Sequence, residues 1–334
     1  DVSLVGMRDQ TYKDFEVIFV DRRYERRHER VMALAAEYNL DLIHVPEHRR
    51  NGKWAGIGAA WNTAMALASG DILIFLPDWT YAPPGWIEEH LRWRNDNPMT
   101  YVVAPYRHTY LPELRMKRPY DFTGQHDHAS RCTDTDPVME GEILDEISAF
   151  VKPFTKAIAL ALPHYPADFN QDTRVASAGD ALHHTWVHLK NESVSRALAY
   201  KINGLDERLD RGKGPLDTDW AIRLYAAGGH SVRAPSGMAY CADPRWICGS
   251  MPWGSKDERL EGRWSYYDGA AYNQRRLREA AGGDFRSKNP FDLQELRKRL
   301  LLQGWRNKDK TIAVTSLTVD DLTYYGGEVW PETA

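Results

Sequence analysis

Apolar and polar positions in the first hundred residues form short runs and stripes that follow one another in a regular order. Glu16 to Val20 is a mostly apolar run that ends at Asp21 and predicts a strand. Residues 25–38 place Val31, Leu34, Ala35 and Tyr38 on one stripe, which predicts an amphipathic helix. Leu40 to Val45 is the next strand. The polar loop His48-Arg49-Arg50-Asn51-Gly52-Lys53 then leads to a small-residue helix from about Gly56 to Ser69. Ile72 to Leu76, five apolar residues between Gly70 and Pro77, reads as a strand buried on both faces. A helix beginning near Pro83 and running to about Asp96, and a strand from Tyr101 to Pro105, continue the series. Strand and helix alternating at this spacing predict a doubly wound α/β domain with parallel pairing.

Periodicity weakens after that. From Tyr106 to about Asp180 the segment is loop-rich, with one amphipathic helix expected over Glu142–Val151. His183–Leu189 predicts a strand, Ser193–Lys201 and Leu216–Ala227 predict helices, and Ser231–Ala234 predicts a strand. The tail from Lys256 predicts two polar helices, over about 268–281 and 292–303, and short strand-like runs near Ile312 and Tyr324. The expected division is therefore 1–105, an insertion over 106–182, a second half over 183–255, and a C-terminal extension over 256–334. Asp1 to Gln10 look like the tail of a helix.

Composition narrows the class. Charged residues at 27% and hydrophobic ones at 43% are ordinary for a globular chain, and a net charge of −4 excludes a general basic coat for nucleic acid. Cys132, Cys241 and Cys248 are too few and too scattered for a disulfide framework and fit buried thiols in a reducing, cytoplasmic setting. No apolar run approaches the roughly 18 residues of a membrane span, so the chain reads as soluble. Twelve Trp and seventeen Tyr suit carbohydrate or base-stacking surfaces as well as cores.

Three carboxylates stand at element ends: Asp21, Asp78 and Asp217. In a parallel sheet the strand ends share one edge, where ligands bind, so Asp21 and Asp78 are expected to be neighbours in space. Alone, Asp78 reads equally well as a turn cap or a ligand, and Asp217 as a first-turn acid favoured by the helix dipole. Asp219 and Arg223, four apart, suit a helix-surface ion pair. His126-Asp127-His128 and His183-His184 read as ordinary loop residues rather than zinc ligands. Arg107, Arg115, Lys117 and Arg118 suit a solvated face or an anionic acceptor; Trp246, Trp253 and Trp264 suit a lid or core packing.

The segment Gln10-Thr11-Tyr12-Lys13-Asp14-Phe15-Glu16-Val17-Ile18-Phe19-Val20-Asp21 resembles the opening of family 2 glycosyltransferases of the GT-A fold. Asn51-Gly52-Lys53, Ala60-Trp61-Asn62 and Ala68-Ser69-Gly70-Asp71 are similar to that family's next block. Phe75-Leu76-Pro77-Asp78-Trp79 falls on its metal-binding segment, followed by Pro83-Pro84-Gly85-Trp86. Asn203-Gly204-Leu205-Asp206-Glu207-Arg208 and Gly214-Pro215-Leu216-Asp217-Thr218-Asp219-Trp220 resemble its acceptor-side block. Several blocks in the right order make the resemblance specific.

The resemblance implies a GT-A (Rossmann-like) mostly parallel sheet flanked by helices. It implies transfer of a sugar from a nucleotide diphosphate sugar to an acceptor hydroxyl of a glycan or other molecule, with inversion and with Asp217 as base. Donor binding falls to Asp21, Lys53, Asn62, Asp78 and Trp79, and Mn²⁺ or Mg²⁺ to Asp78 with Asp243. The chain departs from the pattern in several places. Only one carboxylate stands in Pro77-Asp78-Trp79, Leu216 replaces the acid before Asp217, and Arg22 replaces a second acid after Asp21. No strand precedes the helix at residues 3–9, so a central strand is expected upstream of Asp1. The reduced metal segment keeps open two alternatives: a module that binds a nucleotide sugar or glycan without turnover, and a transferase acting on modified DNA.

Overall fold

The computed structural model describes residues 2–21, 24–48, 57–77, 80–94, 96–108, 189–207, 209, 216–234, 236–241, 279, 282–289 and 292–306. In chain order these form α1 (Val2–Arg8), β1 (Val17–Val20), α2 (Tyr24–Glu37), β2 (Leu42–Val45), α3 (Ile57–Leu67), β3 (Ile72–Phe75) and β4 (Thr80–Tyr81). They continue with α4 (Trp86–Arg94), β5 (Thr100–Val103), β6 (Tyr106–His108), β7 (Glu192–Ser195), α5 (Arg196–Lys201), α6 (Leu216–Ala226), β8 (His230–Arg233), β9 (Ala239–Cys241) and α7 (Leu293–Leu302). The alternation expected over the first hundred residues is present. The helix expected at Glu142–Val151 and most of that at 268–281 lie outside the described residues.

The sheet pairing differs from the mostly parallel expectation: it is mixed. β1 and β2 pair in parallel, Val17 opposite Leu42. A four-stranded sheet has the order β3-β7-β5-β8, in which β7 is antiparallel to both neighbours and β5 is parallel to β8. Three short strands form β4-β9-β6, antiparallel and then parallel. Local spacing reports crossovers between successive strands and carries no information on a strand that returns from residue 192 to insert between β3 and β5. That strand was expected as the start of a helix at Ser193. Instead Glu192–Ser195 is buried along its whole length in the sheet, and Ser195 ends it by capping α5, its hydroxyl accepting from the Leu198 N–H at 3.0 Å. Burial between two strands overrides the polar look of Glu-Ser-Val-Ser.

β1 and β3 are each paired on one side only among the described strands. A cavity of about 800 Å³ lies between them, lined by Val17, Ile18 and Phe19 on one side and Ile72 to Leu76 on the other. The core runs past it on the α3 side, where Val45, Met65, Phe75, Val194, Trp220 and Leu224 join one cluster with Leu293, Leu296, Leu300 and Trp305. The expected C-terminal extension thus contributes α7 to the main core. Arg297 closes the contact, donating to the Ala66 and Ala68 carbonyls at 2.7 and 2.6 Å at the end of α3.

The turn after α5 brings its backbone up against α3. Asn203 and Gly204 are both left-handed, at φ 61° and 63°. A side chain on Gly204 would have its Cβ 2.3 Å from the Asn62 amide oxygen, so only glycine lets the turn approach α3 this closely.

Candidate functional site

Of the residues expected to act, Asp21, Asn62 and Asp217 are described; Lys53, Asp78, Trp79 and Asp243 lie outside the described residues. So do the histidines at 126, 128, 183 and 184, the basic residues at 115, 117 and 118, and the tryptophans at 246, 253 and 264.

Asp21 ends β1, its N–H donating to the Val45 carbonyl at 2.9 Å and its own carbonyl accepting from Tyr24 at 3.2 Å. The carboxylate is 6% exposed. Its two oxygens lie 3.7 Å from an Arg27 guanidinium nitrogen and 3.5 Å from His44 Nε2. These are loose contacts for ion pairs. His44 is stacked between Phe19 and His28, each at a centroid distance of 5.2 Å, and its Nδ1 is 3.2 Å from His28 Nδ1. Burial, then the neighbouring His44, pull the pKa of His28 below its usual value. The result is a carboxylate beside a column of flat rings at the end of a strand.

Asp217 is half-buried in the first turn of α6, where the helix dipole favours a negative charge. One turn on, the fully buried Trp220 donates its indole N–H to Glu192 Oε1 at 3.2 Å and meets Phe75 edge-on at 5.9 Å. Glu192 sits opposite Phe75 and Val103, the last residues of β3 and β5, so α6 is pinned to the carboxyl ends of both strands. Burial, opposed by the Trp220 bond and assisted by the Asp217 charge, raises the Glu192 pKa well above that of an ordinary carboxyl. Among the described residues its second oxygen has no hydrogen-bond partner.

Asn62 was expected to bind the donor. It is fully buried, and its amide bridges α3 to the turn after α5. Nδ2 donates to the Leu205 carbonyl at 2.9 Å and to Glu207 Oε1 at 2.8 Å, and Oδ1 accepts from the Leu205 N–H at 2.8 Å. His48 Nε2 stands 3.2 Å from the same Glu207 oxygen, while its Nδ1 is 2.8 Å from the Thr63 hydroxyl. The polar capacity of Asn62 is therefore consumed inside the fold. Asp219 and Arg223 do pair, at 2.7 Å, but both are fully buried rather than on the helix surface. Arg223 also donates to the Ile202 and Gly204 carbonyls at 3.0 and 2.6 Å, tying α6 to the same turn.

Sequence reasoning missed Glu192, His44 and the His48–Glu207 contact. Glu207 stood within a block of the resemblance; His44 and Glu192 carried no signal, because a lone polar residue inside a strand has no spacing to betray it. Neither Asp21 nor Asp217 lines the 800 Å³ cavity. No group of three or more His, Cys, Asp or Glu fit to hold a metal ion occurs among the described residues, and both candidate ligands fall outside them. No helix there is long and apolar enough to cross a membrane.

Comparison with solved structures gives matches that include the crystal structure of S. aureus TarS 1–349 in complex with UDP. That match has 11% identity and a TM-score of 0.49, over 94% of this chain and 68% of that one. Comparison with curated proteins gives no match. Residues 3–151, just under half of the chain, match the family model described as glycosyl transferase family 2. The matched stretch begins in α1, takes in Asp21 and Asp78, and ends inside the insertion. Through residues 3–151 the chain is similar to glycosyl transferase family 2.

Proposed function

We propose that this protein transfers a sugar from a nucleotide diphosphate sugar to an acceptor hydroxyl, with inversion at the anomeric carbon and with Asp217 as base. The family match over residues 3–151 carries the reading. Asp217 adds the chemistry: a half-buried carboxylate at the start of α6, on a helix pinned to the strand ends. The acceptor oxygen attacks the anomeric carbon from the side opposite the diphosphate and gives its proton to Asp217 as the new bond forms. The bond from that carbon to the diphosphate oxygen breaks, and its electron pair leaves with the nucleotide. In this reading Asp21, beside the Phe19–His44–His28 column, accepts from donor groups of a nucleotide base. Asp78, Lys53 and Trp79 belong to the diphosphate side of the same reading, with Mn²⁺ or Mg²⁺ offsetting charge there when bound.

The test is release of nucleoside diphosphate from a panel of UDP, GDP and dTDP sugars, with and without Mn²⁺, in the presence of simple glycan acceptors. Turnover with at least one donor is expected. Asp217→Asn should lower kcat by roughly 10²- to 10⁴-fold with little change in donor KM. Absence of turnover with every donor would overturn the reading in favour of a binding module.

A further inference from the structure

Among the described residues, Glu192 is the one fully buried carboxyl at the carboxyl ends of β3 and β5, and the resemblance gives it no role. We infer that Glu192 is a positioning residue for Asp217: a carboxyl kept neutral in the sheet that holds the Trp220 indole and, through it, the first turn of α6. The inference rests on the sugar-transfer reading and deepens it.

The geometry has three parts. Glu192 Oε1 takes the Trp220 N–H at 3.2 Å, and Trp220 lies three residues after Asp217, so the two share one side of α6. Trp220 is wedged edge-on against Phe75, which fixes the helix at the level where β3 ends. Glu192 Oε2 has no partner among the described residues, although the side chain is 0% exposed. A charged carboxylate with one oxygen unbonded in such a place carries a large desolvation cost; the neutral acid, with Oε1 accepting from Trp220 and its proton on Oε2, carries the smaller cost of one O–H without an acceptor among the described residues.

Among the described residues, the other groups facing Glu192 add no positive charge. α6 presents Asp217 and Trp220, and β5 presents Tyr101, itself raised to about 12 by burial and then by Glu192; Phe75 faces it from β3. Each titratable neighbour is an acid, so ionising Glu192 would place a second negative charge near Asp217 and weaken the setting that holds α6. Neutral Glu192 therefore does two things at once: it clamps the helix and keeps the acid next to the reaction as the only one that ionises.

The experiment compares Glu192→Gln, Glu192→Ala and Trp220→Phe with the parent chain. Far-ultraviolet circular dichroism checks that each is folded. Infrared difference spectra at neutral pH should show a protonated-carboxyl C=O band in the parent that is missing from Glu192→Gln. The ¹³C titration of the Asp217 carboxyl should move in Glu192→Ala and Trp220→Phe and be restored in Glu192→Gln. In turnover, Glu192→Ala and Trp220→Phe should lower kcat on the order of 10- to 100-fold while donor KM holds, and glutamine should rescue most of that loss. The parent should lose kcat at alkaline pH where Glu192→Gln does not. A missing carboxyl band, or a glutamine variant as damaged as the alanine one, overturns the inference. Failure of the transferase reading looks different: no donor turns over in the parent, while the infrared and ¹³C results stand.

Discussion

Asn191 and Glu192 are consecutive, both buried, and on opposite faces of the same strand edge, yet their bonding could hardly differ more. Asn191 faces α4 and is saturated. Its Nδ2 donates to the Pro105 and Gly237 carbonyls at 2.6 and 2.7 Å, and its Oδ1 accepts from Trp86 Nε1 at 2.8 Å and His90 Nε2 at 3.0 Å. Glu192 faces α6 and, among the described residues, makes a single side-chain hydrogen bond, at 3.2 Å. A fold that spends four good hydrogen bonds on one residue and, among the described residues, leaves half of its neighbour unbonded separates two tasks. Saturation holds the scaffold, and incompleteness marks the side where charge is being managed.

The strongest way to break that contrast is Asn191→Ala. It orphans two carbonyls, an indole N–H and an imidazole N–H in the interior at once, so the expected loss of stability is about 3–5 kcal/mol, read as a fall in the denaturant midpoint. A loss below about 1 kcal/mol would mean that these groups find other partners and that the scaffold reading of the α4 face is mistaken.

Next in size is the pH response of the same face. His90 is fully buried, and burial, opposed by the Asn191 bond, holds its pKa down to about 4. Because Asn191 Oδ1 is an acceptor, His90 Nε2 carries the hydrogen, and Nδ1 is left to accept from the Ser193 hydroxyl at 3.0 Å. The unfolded chain takes up a proton near 6.5 and the folded one only near 4, so stability is full above 6.5 and drains as pH falls between those values. The total is on the order of 3 kcal/mol. Urea titrations from about pH 7 to 4 should show the fall, and His90→Gln should flatten it.

On the other face the sign reverses. Glu192 has a raised pKa, so the folded chain holds a proton that the unfolded one gives up, and the contribution is full below the ordinary carboxyl range and lost as pH rises towards the folded value. Glu192→Gln removes that loss and should raise the melting temperature near neutral pH, with the gain shrinking in acid. If the variant melts lower than the parent at neutral pH and the difference does not depend on pH, Glu192 is not held neutral.

These contrasts explain what the sequence could reveal. Val31, Leu34, Ala35 and the Ile72–Leu76 run announced α2 and β3, because burial imposes a period that a reader can count. Asp21 at a strand end and Asp217 at a helix start were legible for the same reason: position relative to a periodic element is written in the chain. Asn62 was legible as polar but not as a bridge inside the fold, since its partners Leu205 and Glu207 lie 143 and 145 residues away. β7 and Glu192 were hidden by distance as well. A strand inserted antiparallel between β3 and β5 owes its burial to neighbours that no local pattern names, and so a Glu-Ser-Val-Ser segment looks like the start of a helix.

The smallest effect belongs to a carboxylate that is well bonded but only partly buried, which supplies the third corner of the comparison. Glu16 accepts the Ser69 N–H and hydroxyl, both at 2.6 Å, on one oxygen, and holds Arg306 at 2.8 Å with the other. Burial alone would raise its pKa, but Arg306 and Ser69 outweigh that and hold it down at about 2. The bonds therefore stabilise the fold above the ordinary value of 4.5, and that contribution fades as pH falls towards 2. Near the surface and partly open to water, the group is screened by solvent and salt, and the effect of Glu16→Gln is about 1 kcal/mol or less at neutral pH. It should shrink further in roughly 1 M salt, whereas the Asn191→Ala and His90 effects, being interior, should hardly respond. A salt response of equal size at all three sites would show that exposure does not sort the polar groups of this fold.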